Sequence, residues 1–136
     1  MSLSPHIKPY PKLFKYLPIS EHGFTTFATK TIYLSKDIIA DLEKHNPNPF
    51  SLAVLRHQEI HAHNPSLLKT LRYIVFRDIR VKEETRAYTE MFQILKQHNQ
   101  TVDLDNIAKQ LAGIHYIWMM SYDEGKKFIK RIWDNS

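Results

Sequence analysis

Residues 54–65 read VLRHQEIHAHNP. His57 and His61 stand four apart, the spacing at which two imidazoles project side by side from one helix and can share a tetrahedral zinc ion. The position after the first histidine, where a hydrolytic zinc helix carries its general-base glutamate, holds Gln58. An HxxxH pair recurs on helices by chance, so the pair alone reads as two core histidines. His63 lies roughly 200° round the helix from His61 and is a poor candidate ligand.

A third group changes that balance. In RVKEETRAYTEMFQIL, residues 80–95, Glu84 heads a stripe of Ala87, Tyr88, Met91 and Leu95 at helical spacing. A carboxylate on an apolar face is costly unless it is paired or bound to a metal. Two histidines and a glutamate from a second helix, with one position left for water, form a catalytic zinc set. Glu83 competes for the third place, and a solvated ion pair of Glu84 with Arg80 or Arg86 is the plain alternative. With no cysteine in the chain, any metal must be held by histidine and carboxylate.

The elements that must position these groups are mostly helices. Residues 1–22 contain Pro5, Pro9, Pro11 and Pro18 and read as an extended N-terminal segment. Residues 23–35 read as a strand or a short hairpin ending in Thr31-Ile32-Tyr33-Leu34. Ser35 caps a helix over 36–45, and Asn48 caps the next one, which Pro49 starts and Asn64-Pro65 stops. On it, Phe50, Ala53, Val54, His57 and His61 share one face. Ser66 opens a helical stretch that runs, with a break near Asp78, to about residue 98. Beyond a polar turn, residues 99–136 read as two C-terminal helices, one over 103–120 and one started by the Ser121/Glu124 capping box. Tyr116, Ile117 and Trp118 are expected in the core. The expected fold class is therefore α+β, a single compact, mostly helical domain over 1–136 with a small β element near its N-terminus.

At 136 residues the chain can bury a real core. No apolar run is long enough to span a bilayer and the N-terminus lacks the core of a signal peptide, so the expected location is cytoplasmic with no membrane partner. The net charge of +5 permits nucleic-acid binding without requiring it, because the basic residues are spread out.

With this third group in place the sequence resembles the gluzincin metallopeptidases, especially the small soluble minigluzincins. The family order is a strand, a helix, the HExxH helix and a glutamate helix carrying ExxA. It is matched here by Thr29–Ser35, Lys36–His45, His57-Gln58-Glu59-Ile60-His61 and Glu84-Thr85-Arg86-Ala87. The match covers about residues 23–98 and implies a zincin-like fold, a Zn2+ cofactor and a peptide or protein substrate. It implies His57, His61 and Glu84 as ligands, position 58 as the general base, and Thr31, Ile32, Tyr33 and Leu34 as a rim strand that pairs with extended substrate. Gln58 departs from the pattern. A glutamine amide holds water but cannot take and return its proton, which costs ~10²–10⁴-fold in rate. Two origins stay open, an introduced isosteric change in a peptidase or a natural zinc-binding pseudoenzyme. The intact remainder of the motif favours the first. Tyr88, His115 and Tyr116 are candidate oxyanion donors. The rival function is a small basic nucleic-acid-binding protein built on residues 69–86, which show no clean basic face.

Overall fold

The computed structural model describes residues 6–11, 23–26, 31–63, 66–113 and 116–136. Pro5, Pro18, Thr29, Asn64, Pro65 and His115, which the sequence singles out, lie outside them.

Three short strands form one sheet: β1 (Ile7–Pro9), β2 (Gly23–Thr26) and β3 (Thr31–Leu34), in the order β1-β3-β2. β2 runs antiparallel to β3, Thr26 opposite Thr31, so the hairpin alternative for residues 23–35 is the one adopted. β1 runs parallel to β3 with Ile7 opposite Ile32. Thr31, Ile32, Tyr33 and Leu34, expected as a rim strand that pairs with extended substrate, are already paired with β1 and β2 in this structure. Strand addition needs a free edge, and β3 is the central strand with both edges hydrogen-bonded. Ile32 and Leu34 instead bury their side chains in the core.

The helix starts follow local chemistry. The Ser35 hydroxyl caps α1 (Lys36–Leu42). α1 stops short of His45 because the Asp41 carboxylate accepts from Lys44 Nζ at 2.9 Å and from the Asn48 backbone at 2.8 Å, folding the chain back. Asn48 then caps α2 (Pro49–Ala62) by accepting from the Phe50 backbone, with Pro49 at the first turn where its missing N–H costs nothing. Ser66 caps α3 (Leu67–Val75), and the chain breaks at Phe76 before α4 (Arg77–Gln97). α2 packs along α4, the main helix pairing of the domain, and also meets the sheet.

α5 (Leu104–Leu111) is much shorter than the helix expected over 103–120. It ends at Ala112-Gly113, and Ile117 and Trp118 then adopt left-handed backbone conformations, φ 56° and 46°, which no α-helix contains. Tyr116 is buried as expected and Met119 is buried too, whereas Ile117 and Trp118 are exposed, correcting their placement in the core. α6 (Tyr122–Asn135) begins on the reciprocal Ser121/Glu124 capping box and lies against α5. The helices meet closely at Gly125, where a Cβ would stand 3.1 Å from the Ala108 carbonyl oxygen.

The core gathers Leu34 and Leu42 from the N-terminal part, Ala53 and Val54 from α2, Phe92 and Leu95 from α4, and Leu111, Met119 and Ile129 from the C-terminal part. Phe92 is fully buried with its ring edge-to-face on Trp133 at 5.1 Å. Phe92→Ala should therefore destabilise the chain by about 3–5 kcal/mol, read as a lowered urea midpoint. A loss under about 1 kcal/mol would contradict this packing.

Candidate metal centre

α2 and α4 bring three side chains to one point. The Nε2 atoms of His57 and His61 lie 3.2 Å apart. Glu84 places Oε2 3.4 Å from the first and Oε1 3.1 Å from the second. All three residues are buried, Glu84 with only 1% of its surface exposed. Ligand atoms about 2.0–2.1 Å from a tetrahedral zinc lie roughly 3.3–3.4 Å from one another. The three observed separations are close to those edges, so the cluster is sized for an ion with little rearrangement. Two buried atoms of the cluster, His57 Nδ1 and Glu84 Oε2, make no hydrogen bond among the described residues. A group capable of holding a metal ion is thus present, made of His57, His61 and Glu84.

The electrostatics follow from burial. Burial drives the His57 pKa below its usual value, only partly opposed by Glu84. Burial acts the same way on His61, but the Glu84 and Glu83 carboxylates more than reverse it and raise the pKa to about 9. Burial opposes the Glu84 anion, and the histidines, His61 foremost, overcome this and hold its carboxyl well below the usual range. Without metal at neutral pH, His57 is neutral and His61 is an imidazolium paired with Glu84. The raised His61 pKa stabilises the metal-free fold fully below about 6.5, and that contribution is lost as pH rises through about 9. The depressed Glu84 pKa contributes above about 4.5 and is lost as pH falls towards its folded value.

Around the cluster stand groups that fix it. The Tyr73 hydroxyl donates to Glu84 Oε1 at 2.6 Å. Glu83 lies on the far side of His61, its Oε2 3.7 Å from Nδ1, and is in turn 3.7 Å from Lys69 Nζ. Glu83 thus addresses the nitrogen that faces away from the cluster, while Glu84 is the carboxylate inside it. Lys69 also donates to the His61 and His63 carbonyls, satisfying the end of α2. The buried Arg80 donates to the Tyr73 and Ile74 carbonyls and so ties down the end of α3. Arg80 and Arg86 are therefore not the partners that hold Glu84; Arg86 lies 3.8 Å from Glu83.

His57 and Gln58 form part of the wall of a cavity of about 250 Å3, which Val54, Tyr88, Met91 and Tyr116 also line. The His57 and Tyr88 rings meet in a T-shaped contact at 4.4 Å between centroids, and the Tyr88 and Tyr116 hydroxyls are 2.7 Å apart. One of those two hydroxyl protons serves the bond between them, which leaves the other free to donate elsewhere. Gln58 is buried beside His57. Thr31, Ile32, Tyr33 and Leu34 are not among the residues lining this cavity. His63 is exposed, as its position on the helix requires.

Sequence reasoning missed Tyr73, Lys69 and the orienting place of Glu83. The signal for the first two was available: both lie on one side of a helix whose other side is entirely apolar. Comparison with protein-family models, with curated proteins and with solved structures finds no match to this chain.

Zinc at about a hundred times its dissociation constant stabilises a binding fold by ~2.7 kcal/mol, a rise in Tm of roughly 10 °C for a chain of this size. Glu84→Ala should abolish that rise. Glu83→Ala, which unties the outer nitrogen of His61 and removes an ionic neighbour of Lys69 and Arg86, should weaken zinc binding roughly 10–100-fold. The opposite order would make Glu83 the ligand. Calorimetry at pH 7 in buffers of differing ionisation enthalpy should report about one proton released per zinc, given up by His61. The release should vanish as pH passes about 9.

Proposed function

We propose that this chain is a zinc metallopeptidase of gluzincin type whose general-base position is occupied by glutamine. The observation that carries the reading is the convergence of His57 Nε2, His61 Nε2 and the Glu84 carboxylate at 3.1–3.4 Å, with Gln58 beside His57 on the wall of a cavity. The order of strand, helix and histidine helix, with the glutamate helix following after α3, supports a zincin-like fold.

His57, His61 and Glu84 would hold the metal, three ligands with a fourth position left open. Zinc bound there supplies a Lewis acid for the scissile carbonyl and acidifies water. Tyr73 and Glu83 keep Glu84 and His61 in register by hydrogen bonding and charge. The Tyr88–Tyr116 pair places a hydroxyl donor by the cavity, where a developing oxyanion can be stabilised. The Gln58 amide can hold a water molecule by hydrogen bonds but has no basic site for its proton at neutral pH. A peptide reaching the site would lie in the cavity between α2, α4 and α5, because addition to β3 requires β1 or β2 to leave. The substrate is a peptide or protein.

A second reading, a zinc-binding pseudoenzyme, is favoured by Gln58 itself. Nucleic-acid binding gains little support, since Lys69 and Arg80 of the basic stretch are engaged on backbone carbonyls. Gln58→Glu, loaded with zinc and offered a mixed peptide library, should raise cleavage ~10²–10⁴-fold over the chain as it stands, measured by mass spectrometry. A zinc-loaded Gln58→Glu protein that cleaves nothing would leave the pseudoenzyme.

A further inference from the structure

α3 is turned inside out. Its polar side chains Lys69 and Tyr73 face the protein and hold the metal cluster's surroundings. Its apolar residues Leu67, Leu68, Leu71, Ile74 and Val75 share an arc of roughly 120° on the opposite side. All five are exposed, Leu67 and Val75 by 66% and 65%, and α3 contains no buried residue. A surface helix ordinarily turns its apolar stripe to the core. Phe76 continues the patch at the helix end, and Arg77 Nε donates to the Met119 carbonyl at 2.5 Å, drawing in the loop that holds Trp118. Trp118 is 65% exposed, and it follows Ile117, a β-branched residue held at φ 56°. Such strain persists where the surroundings impose it and concentrates at functional surfaces.

The charge around this patch selects the occupant. Residues 66–77 contain no acidic residue, and with Lys69 turned inward their outward charges are Arg72 and Arg77, in a chain of net charge +5. Arg72 and Arg77 are exposed beside the apolar face, Arg77 with Glu124 3.8 Å away. A second copy docking here would bring like charges to one seam. An anionic bilayer surface accepts both features: leucine, phenylalanine and tryptophan side chains enter the headgroup boundary while arginines meet lipid phosphates and carboxylates.

We propose that the outer face of α3, with Phe76 and Trp118, docks this protein on an anionic membrane surface. No spanning segment is needed for this, and among the described residues no helix is long and apolar enough to cross a membrane. The absence of a spanning run led the sequence reading to expect no membrane partner; docking on the surface is a different contact. Because the inward side of α3 supplies Tyr73 to Glu84, the helix itself would separate the bilayer from the His57–His61–Glu84 cluster. The proposal does not depend on zinc or on peptidase activity.

The test is flotation of the full chain with phosphatidylcholine vesicles containing or lacking phosphatidylserine, at low and high salt. The expected result is binding to the phosphatidylserine vesicles that weakens with salt. Leu71→Glu/Ile74→Glu should lose it while keeping the parent Tm and zinc uptake, since both positions are exposed. Arg72→Ala should weaken it by about fivefold, a change that leaves the apolar face whole. Three outcomes overturn the proposal. They are no binding to phosphatidylserine vesicles, equal binding with and without phosphatidylserine, and a lipid-independent dimer in light scattering that Leu71→Glu/Ile74→Glu dissolves. The last would assign the face to a second copy of the chain.

Discussion

A carboxylate sealed inside the protein sets the terms for everything near it. An unpaired buried charge costs several kcal/mol, a large part of the 5–15 kcal/mol that holds a typical domain together. Glu84 can stay ionised there because His57 and His61 face it across the α2–α4 seam and Tyr73 donates to it. Each of those contacts comes from a different turn or a different helix. The packing of α2 on α4, the cap that starts α2 at Asn48, and the break at Phe76 that swings α3 back over the site all serve one neutralisation. The two imidazole nitrogens that face the carboxylate without metal are ones that a metal would take, together with Glu84 itself. Metal binding would therefore exchange a proton for an ion within a cage already formed.

This arrangement has a local cost at α3. A helix that turns Tyr73 and Lys69 inward must turn its leucines outward, against the pattern that places apolar stripes in the core. The left-handed Ile117 and Trp118 are a second departure from local preference, and they lie at the same end of the molecule. Among the described residues, α1, α2, α5 and α6 each start on a side-chain cap, as local preference favours. The departures cluster around the candidate site and the surface beside it, where consistency is expected to yield to function.

Much of this was legible because it depends on neighbours in sequence. Ser35, Asn48 with Pro49, Ser66 and Ser121 with Glu124 signal their helix starts through bonds spanning two or three residues. The faces of α2 and α4 follow from helical periodicity, which puts His57, His61 and Glu84 on inward stripes. What was not legible depends on partners distant along the chain. The pairing of β1 with β3 joins residues about 25 apart and fills the edge that a peptide was expected to use. Tyr73 reaches Glu84 across a helix break, so periodicity on either side does not connect them. The apolar run after Gly113 reads as helix by composition, but the backbone at Ile117 and Trp118 leaves the helical region. The choice between Glu83 and Glu84 depended on about 100° of helix rotation, too fine for a pattern and plain in three dimensions.

The central claim is that the buried His57–His61–Glu84 cluster is a zinc site. Diffraction from crystals grown with saturating zinc, recorded on both sides of the zinc absorption edge, tests it most directly. The account predicts one anomalous peak about 2.0–2.1 Å from His57 Nε2, His61 Nε2 and a Glu84 oxygen, with a fourth position that no protein atom fills. No peak there, with His61 still paired to Glu84, would make the cluster a structural ion pair and contradict the account.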